Sequence, residues 1–90
     1  MLVLNLPMLK RTELIHVGFG HFIATNKIDA ILKPGLTPVK RVVIESRNDD
    51  WVIDLTSGHR TQSVIFARSE YIILADPSPD ILRKRMSGLE

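Results

Sequence analysis

The sequence predicts a small α+β domain in which a mainly antiparallel sheet carries two helices. Three observations predict it. Short β-prone runs recur at 14–17, 21–25, 28–32, 51–56, 62–67 and 71–75, separated by Gly, Pro, Asn or charged residues. Two segments place a polar residue just ahead of a proline, Thr37-Pro38 and Ser78-Pro79, as helix starts do. At 90 residues there is room for one modest core, since a chain this size buries only about 60–65% of its unfolded surface.

Leu14–Val17 and His21–Thr25 read as strands, and Gly18-Phe19-Gly20 between them as a bend or bulge. After an Asn26-Lys27 turn, Ile28–Leu32 reads as a strand stopped by Lys33-Pro34-Gly35. Thr37 is placed as N-cap and Pro38 at the first position of a helix running to about Asn48. At 100° per residue Val39, Val42, Val43 and Ser46 share one face, and Lys40, Ile44 and Arg47 the opposite one. Trp51–Thr56 alternates with Trp51, Ile53 and Leu55 inward. Ser57-Gly58-His59-Arg60 turns the chain and Gln62–Ala67 returns, which predicts a hairpin. Tyr71–Ala75 is nearly all apolar and is expected as a central strand covered on both faces. Ser78, Pro79 and Asp80 then open a short helix to about Met86, with Ile81, Leu82 and Met86 on its apolar side.

Composition excludes several classes of function. Without cysteine there is no disulfide, thiolate zinc site, iron–sulfur cluster or cysteine nucleophile. His16, His21 and His59 lack metal-ligand spacing, so neither a metal nor another cofactor is expected. Gly18-Phe19-Gly20 does not continue into a dinucleotide fingerprint, and no phosphate-loop lysine motif follows. Ser57 and His59 share one turn but form no triad, and no pair of carboxylates divides acid and base roles. A non-enzyme without a small-molecule substrate is the expectation. No apolar run approaches the roughly 20 residues of a membrane span. Met1–Pro7 is apolar but lacks a basic leader, so a cytoplasmic protein is expected rather than a secreted one. Residues 1–13 read as an N-terminal extension, with Met8 a second candidate start, 14–88 as the domain, and 89–90 as a cloning remnant.

Binding signals are stronger. Twelve Lys and Arg against ten Asp and Glu leave a net charge of only +2. Residues 1–48 hold seven cations and three acids, a net of +4, and 49–90 hold five and seven, a net of −2. Lys40 and Arg47 share a helix face, while Lys27 and His59-Arg60 sit at turns. Turn cations on a rigid sheet reach phosphates without burying charge. Arg83-Lys84-Arg85 complements a helix dipole and needs no ligand, and Trp51 is expected in the core.

The segments together resemble the RemA family of extracellular-matrix gene regulators. The resemblance is carried by Val17-Gly18-Phe19-Gly20-His21, Asn26-Lys27-Ile28, Pro38-Val39-Lys40-Arg41, Ile53 through Thr61, and the closing strand with Pro79 and its helix. It runs in register from about Leu14 to Met86. It implies a cytoplasmic, non-enzymatic transcription regulator that binds double-stranded DNA. It also implies a ring-like homo-oligomer of subunits akin to the LytTR DNA-binding domain, and a place in biofilm and matrix regulation. In such proteins arginines contact DNA from positions matching Lys27, His59 and Arg60, and another basic residue from the position matching Gln62. Only Arg60 is retained outright. Lys27 keeps charge without the guanidinium fork, and Gln62 carries none. Two alternatives stand beside this: an oligomeric scaffold that has lost DNA binding, and an RNA-binding module, which would need stacking aromatics beyond Phe22, Phe66 and Tyr71.

Overall fold

The structure, a computed structural model, describes residues 13–88. The expected N-terminal extension, apart from Glu13, and the expected remnant at 89–90 lie outside the described residues. Strand β1 (Leu14–His16) pairs antiparallel with β2 (Phe22–Ala24), Ile15 facing Ile23. A 3-10 turn at Thr25–Lys27 leads into β3 (Ile28–Leu32). Helix α1 (Thr37–Asn48) precedes β4 (Val52–Asp54), and β5 (Ser63–Ala67), β6 (Ile72–Ala75) and helix α2 (Pro79–Met86) complete the order. The small α+β class with two helices is thus observed among the described residues.

The larger sheet runs β3-β5-β6-β4. Leu32 faces Val64 across β3 and β5, and Ser63 faces Ala75 across β5 and β6, both pairs antiparallel. β4 lies parallel to β6, with Val52 opposite Ile72 and Asp54 opposite Leu74. The expected hairpin between the Trp51–Thr56 and Gln62–Ala67 segments is therefore corrected: they flank β6 on opposite sides. The eight residues 55–62 pass over the end of β6, a length that does not force the flanking strands together as a two-residue turn would. Leu55 N–H donates to the Leu74 carbonyl and Gln62 N–H to the Ala75 carbonyl, at 2.9 and 3.0 Å, rooting the loop on either side. β6 is buried at all four positions, as expected of a central strand with both faces covered.

One face of this sheet, through Ile65, Ile73 and Ala75, packs on Ile15 and Val17 and on Leu82 of α2. The other, through Val64, Ile72 and Leu74, packs on Val39, with Val43 beside it. Ser78 Oγ accepts from Ile81 N–H at 3.3 Å, the cap expected for α2. The N-cap of α1 is Leu36 rather than Thr37, with no side-chain hydrogen bond there, so the helix starts one residue earlier in phase. Val42 is exposed, so the packed stripe of α1 narrows to Val39 and Val43. Trp51 and Ile53 are 40% and 39% exposed, not inward. β4 is an edge strand, and Val52 is its residue that packs under α1. Trp51 instead meets Tyr71, ring centroids 5.1 Å apart. Phe22 is also exposed, against His16 at 5.1 Å.

β3, β4 and β6 point the same way, because β3 and β6 are both antiparallel to β5 and β4 is parallel to β6. Their carboxyl ends gather at one end of the sheet. The segments 33–36, 55–62 and 76–78 leave from that end.

Candidate nucleic-acid interface

The loop over β6 is held from four sides. Thr56 N–H and Oγ1–H both donate to Asp54 Oδ1, at 2.9 and 2.6 Å. The Thr56 hydroxyl, then its N–H, and also the Arg47 charge, hold the Asp54 carboxyl below its ordinary value of 3.8. His59 N–H closes the turn on the Thr56 carbonyl at 2.9 Å. Ser57 and Gly58 both take positive φ there, +52° and +83°, the backbone of a primed turn. The His59 ring lies 4.8 Å from that of Phe19, in the β1–β2 turn. That turn is seated on the far loop, because a Cβ at Gly18 would stand 3.3 Å from Pro77 Cδ. Beyond the loop, Ser63 Oγ–H donates to the Pro77 carbonyl at 2.6 Å in the interior. Arg60 is thus presented from an anchored backbone, its own side chain exposed.

Two clefts adjoin this loop and share Pro34 and Thr61. The first, about 230 Å³, has an apolar floor of Val43, Val64 and Leu74, with Lys40 and Arg47 among its lining residues. The second, about 400 Å³, takes in Arg60 and Gln62 together with Lys33 and Ser78. Four residues expected to bind nucleic acid, Lys40, Arg47, Arg60 and Gln62, therefore come together. Lys33 joins them. In the sequence it figured only as part of a strand stop; the signal that finds it is the direction of β3, which ends where β4 and β6 end. His59 is close by, with its ring engaged by Phe19.

Lys27 is not brought to this group. Its carbonyl accepts from Arg68 N–H at 2.8 Å, at the opposite end of the sheet, where Arg68 also meets Asp29 at 3.2 Å. Lys27 and Lys33 flank the five residues of β3, so at ~3.3 Å per residue their backbones stand up to roughly 20 Å apart. Among the described residues no group of three or more His, Asp or Glu could hold a metal ion. No helix is long and apolar enough to cross a membrane among them.

Comparison with known proteins agrees with the sequence resemblance. Residues 14–86 match the family described as RemA-like, Extracellular matrix regulatory protein A-like. A protein of Dehalococcoides mccartyi bearing the name "Putative regulatory protein" is 43% identical over 75 residues, 83% of this chain and 78% of its own. Proteins so named from Halothermothrix orenii and Halalkalibacterium halodurans are 39% and 37% identical over 76 residues, 84% of this chain and 90% and 87% of theirs. With one family spanning the whole described domain, and relatives at this identity over most of both chains, the protein belongs to the RemA-like family.

Proposed function

We propose that the protein is a non-enzymatic, cytoplasmic transcription regulator of the extracellular-matrix kind that binds double-stranded DNA as a ring-like homo-oligomer of LytTR-like subunits. The regulatory names of its relatives support the first part. The observation that carries DNA binding is the gathering of Lys40, Arg47, Arg60 and Gln62 around two adjoining clefts at one end of the sheet. Cations on anchored loops contact backbone phosphates, which fixes position without reading bases. Lys27, at the other end, contributes from a separate patch, which in a ring lies along a shared DNA path. The test is fluorescence anisotropy on long duplex DNA at ~50 mM salt. Micromolar binding that weakens in Arg60→Ala is expected; no binding, or no effect of the substitution, overturns the proposal.

One observation favours a second reading, a scaffold that has kept assembly and lost DNA. His59, at a family DNA-contact position, is turned onto Phe19, and Gln62 carries no charge. A ring in light scattering without DNA affinity would establish it. An RNA-binding role is not favoured: exposed Trp51 and Tyr71 stand at the opposite end of the sheet from Arg60, and exposed Phe19 and Phe22 are engaged by the rings of His59 and His16.

A further inference from the structure

We infer that Lys33 is the intrachain partner of Arg60 in gripping a single backbone phosphate of the DNA, and that Lys27 is not. The inference rests on the DNA-binding proposal and assigns a second cation to the same site. Lys33 leaves the end of β3 and Arg60 sits in the loop that crosses β6, and the two line one cleft of about 400 Å³. That volume is many times the ~30 Å³ of a water molecule, so a phosphodiester enters with its waters. The remaining polar groups at the cleft, Thr61, Gln62 and Ser78, are neutral, and no carboxylate lines it. Neither cation is in an ion pair among the described residues. Arg68, next to Lys27, is in contrast already held by Asp29.

The chemistry of the pair is complementary. Arg60 offers a planar fork that can take two phosphate oxygens, and Lys33 a compact charge that needs no fixed orientation. Both loops are fixed before binding. Leu32 is paired with Val64 just ahead of Lys33, and the Asp54–Thr56 bonds and the Phe19–His59 contact hold the approach to Arg60. Little backbone has to be ordered to close on the anion. The pair also restores one of the charges that His59 and Gln62 lack at family contact positions.

The experiment measures affinity and salt dependence of wild type, Lys33→Ala, Lys33→Arg, Lys27→Ala, Arg60→Ala and the two double variants with Arg60→Ala, on one long duplex. Lys33 is exposed, so folding is not at stake, and circular dichroism verifies this. The expected loss in Lys33→Ala is roughly three- to tenfold at low salt; because Arg60 still holds the shared phosphate, the full slope change of about 0.9 per engaged subunit appears only in the double variant with Arg60→Ala. Lys33→Arg should bind as wild type. Lys33→Ala with Arg60→Ala should lose less than the product of the single losses, by about twofold or more, while Lys27→Ala with Arg60→Ala should multiply. If wild type binds and Arg60→Ala weakens it but Lys33→Ala leaves affinity unchanged, the Lys33 assignment is wrong and the DNA proposal stands. If the Lys27 variant couples to Arg60→Ala and the Lys33 variant does not, the pairing is wrong. If wild type does not bind, both fall.

Discussion

Replacing Thr56 by valine tests how the loop carrying Arg60 is held. Thr56 is 2% exposed, and its hydroxyl gives Asp54 a 2.6 Å hydrogen bond. Valine keeps nearly the same shape and leaves the Thr56 N–H bond to Asp54 in place. A hydrogen bond to a charged partner is worth about 1.5–3 kcal/mol. Asp54 is exposed, so water takes over the vacated lone pair, and valine buries one more apolar group. The net loss should therefore be about 1 kcal/mol. In urea unfolding, with a slope of about 1 kcal/mol per molar for a domain this small, the midpoint should fall by roughly 1 M. The pH dependence identifies the cause. A carboxyl held below its ordinary value of 3.8 in the fold stabilises fully above that value, and the contribution is lost as pH falls through the lower folded value. The gap between wild type and Thr56→Val should be complete at neutral pH and narrow below 3.8. A gap of constant size across that range would assign the loss to packing, and no gap at neutral pH would refute the role of the bond altogether.

Two further outcomes test the frame around the loop. Leu82 is fully buried against Ile15, Val17 and Ile65, so Leu82→Ala should cost about 3–4 kcal/mol and lower the thermal midpoint by roughly 12–30 °C. A shift of only a few degrees in circular dichroism melts would mean that α2 does not seal this face. Gly58→Ala meets no atom within 4 Å but sits at φ +83°, so its cost is conformational, about 1 kcal/mol by urea unfolding. A neutral Gly58→Ala would show that the turn is not held in this geometry.

What was legible in the sequence was what is decided locally. Ser78-Pro79 marks a helix start through the chemistry of three or four residues, and the helix begins there. Tyr71–Ala75 shows two-sided burial in its composition alone, and β6 is the buried centre. The order of strands was not legible, because a loop of eight residues leaves the choice of partner to the packed whole. The alternation of Trp51, Ile53 and Leu55 gave a period that held only at Leu55, which packs on the core; Trp51 and Ile53 stay exposed on an edge strand whose Val52 is the residue that α1 covers. The same distinction governs the site. Lys40 and Arg47 share a face by helical arithmetic, and they do line one cleft. Gln62 entered through family resemblance only. Grouping Arg60 with Lys33 and separating it from Lys27 depends on which way β3 runs relative to β6, which no local pattern encodes.

The charge asymmetry changes meaning once it is laid on the fold. Along the sequence it separates residues 1–48 from 49–90. In space, the turns that hold Asp49-Asp50 and Glu70 lie at the Lys27 end of the sheet, with Asp29 beside Arg68. At the other end Lys33 and Arg60 face a cleft without carboxylates. Asp54 and Asp76 also stand at this second end but do not line the cleft, so the cleft draws a phosphate backbone more strongly than the acid-flanked Lys27 patch at the first end. If Lys40, Arg47 and the Lys33–Arg60 pair neutralise three phosphates per chain, the salt slope is about −2.7, and affinity falls roughly 40-fold from 50 to 200 mM salt. Non-specific binding of that strength lies at about 10⁻⁴–10⁻⁶ M near physiological salt, too weak for one subunit to occupy a site. Under the proposed function the remedy is repetition. Copies that present the same end to one duplex add their contacts at high effective concentration, and the slope rises with the number of copies engaged. A slope of about −2.7 whatever the duplex length would mean that a single chain binds alone, and the ring would then have no part in holding DNA.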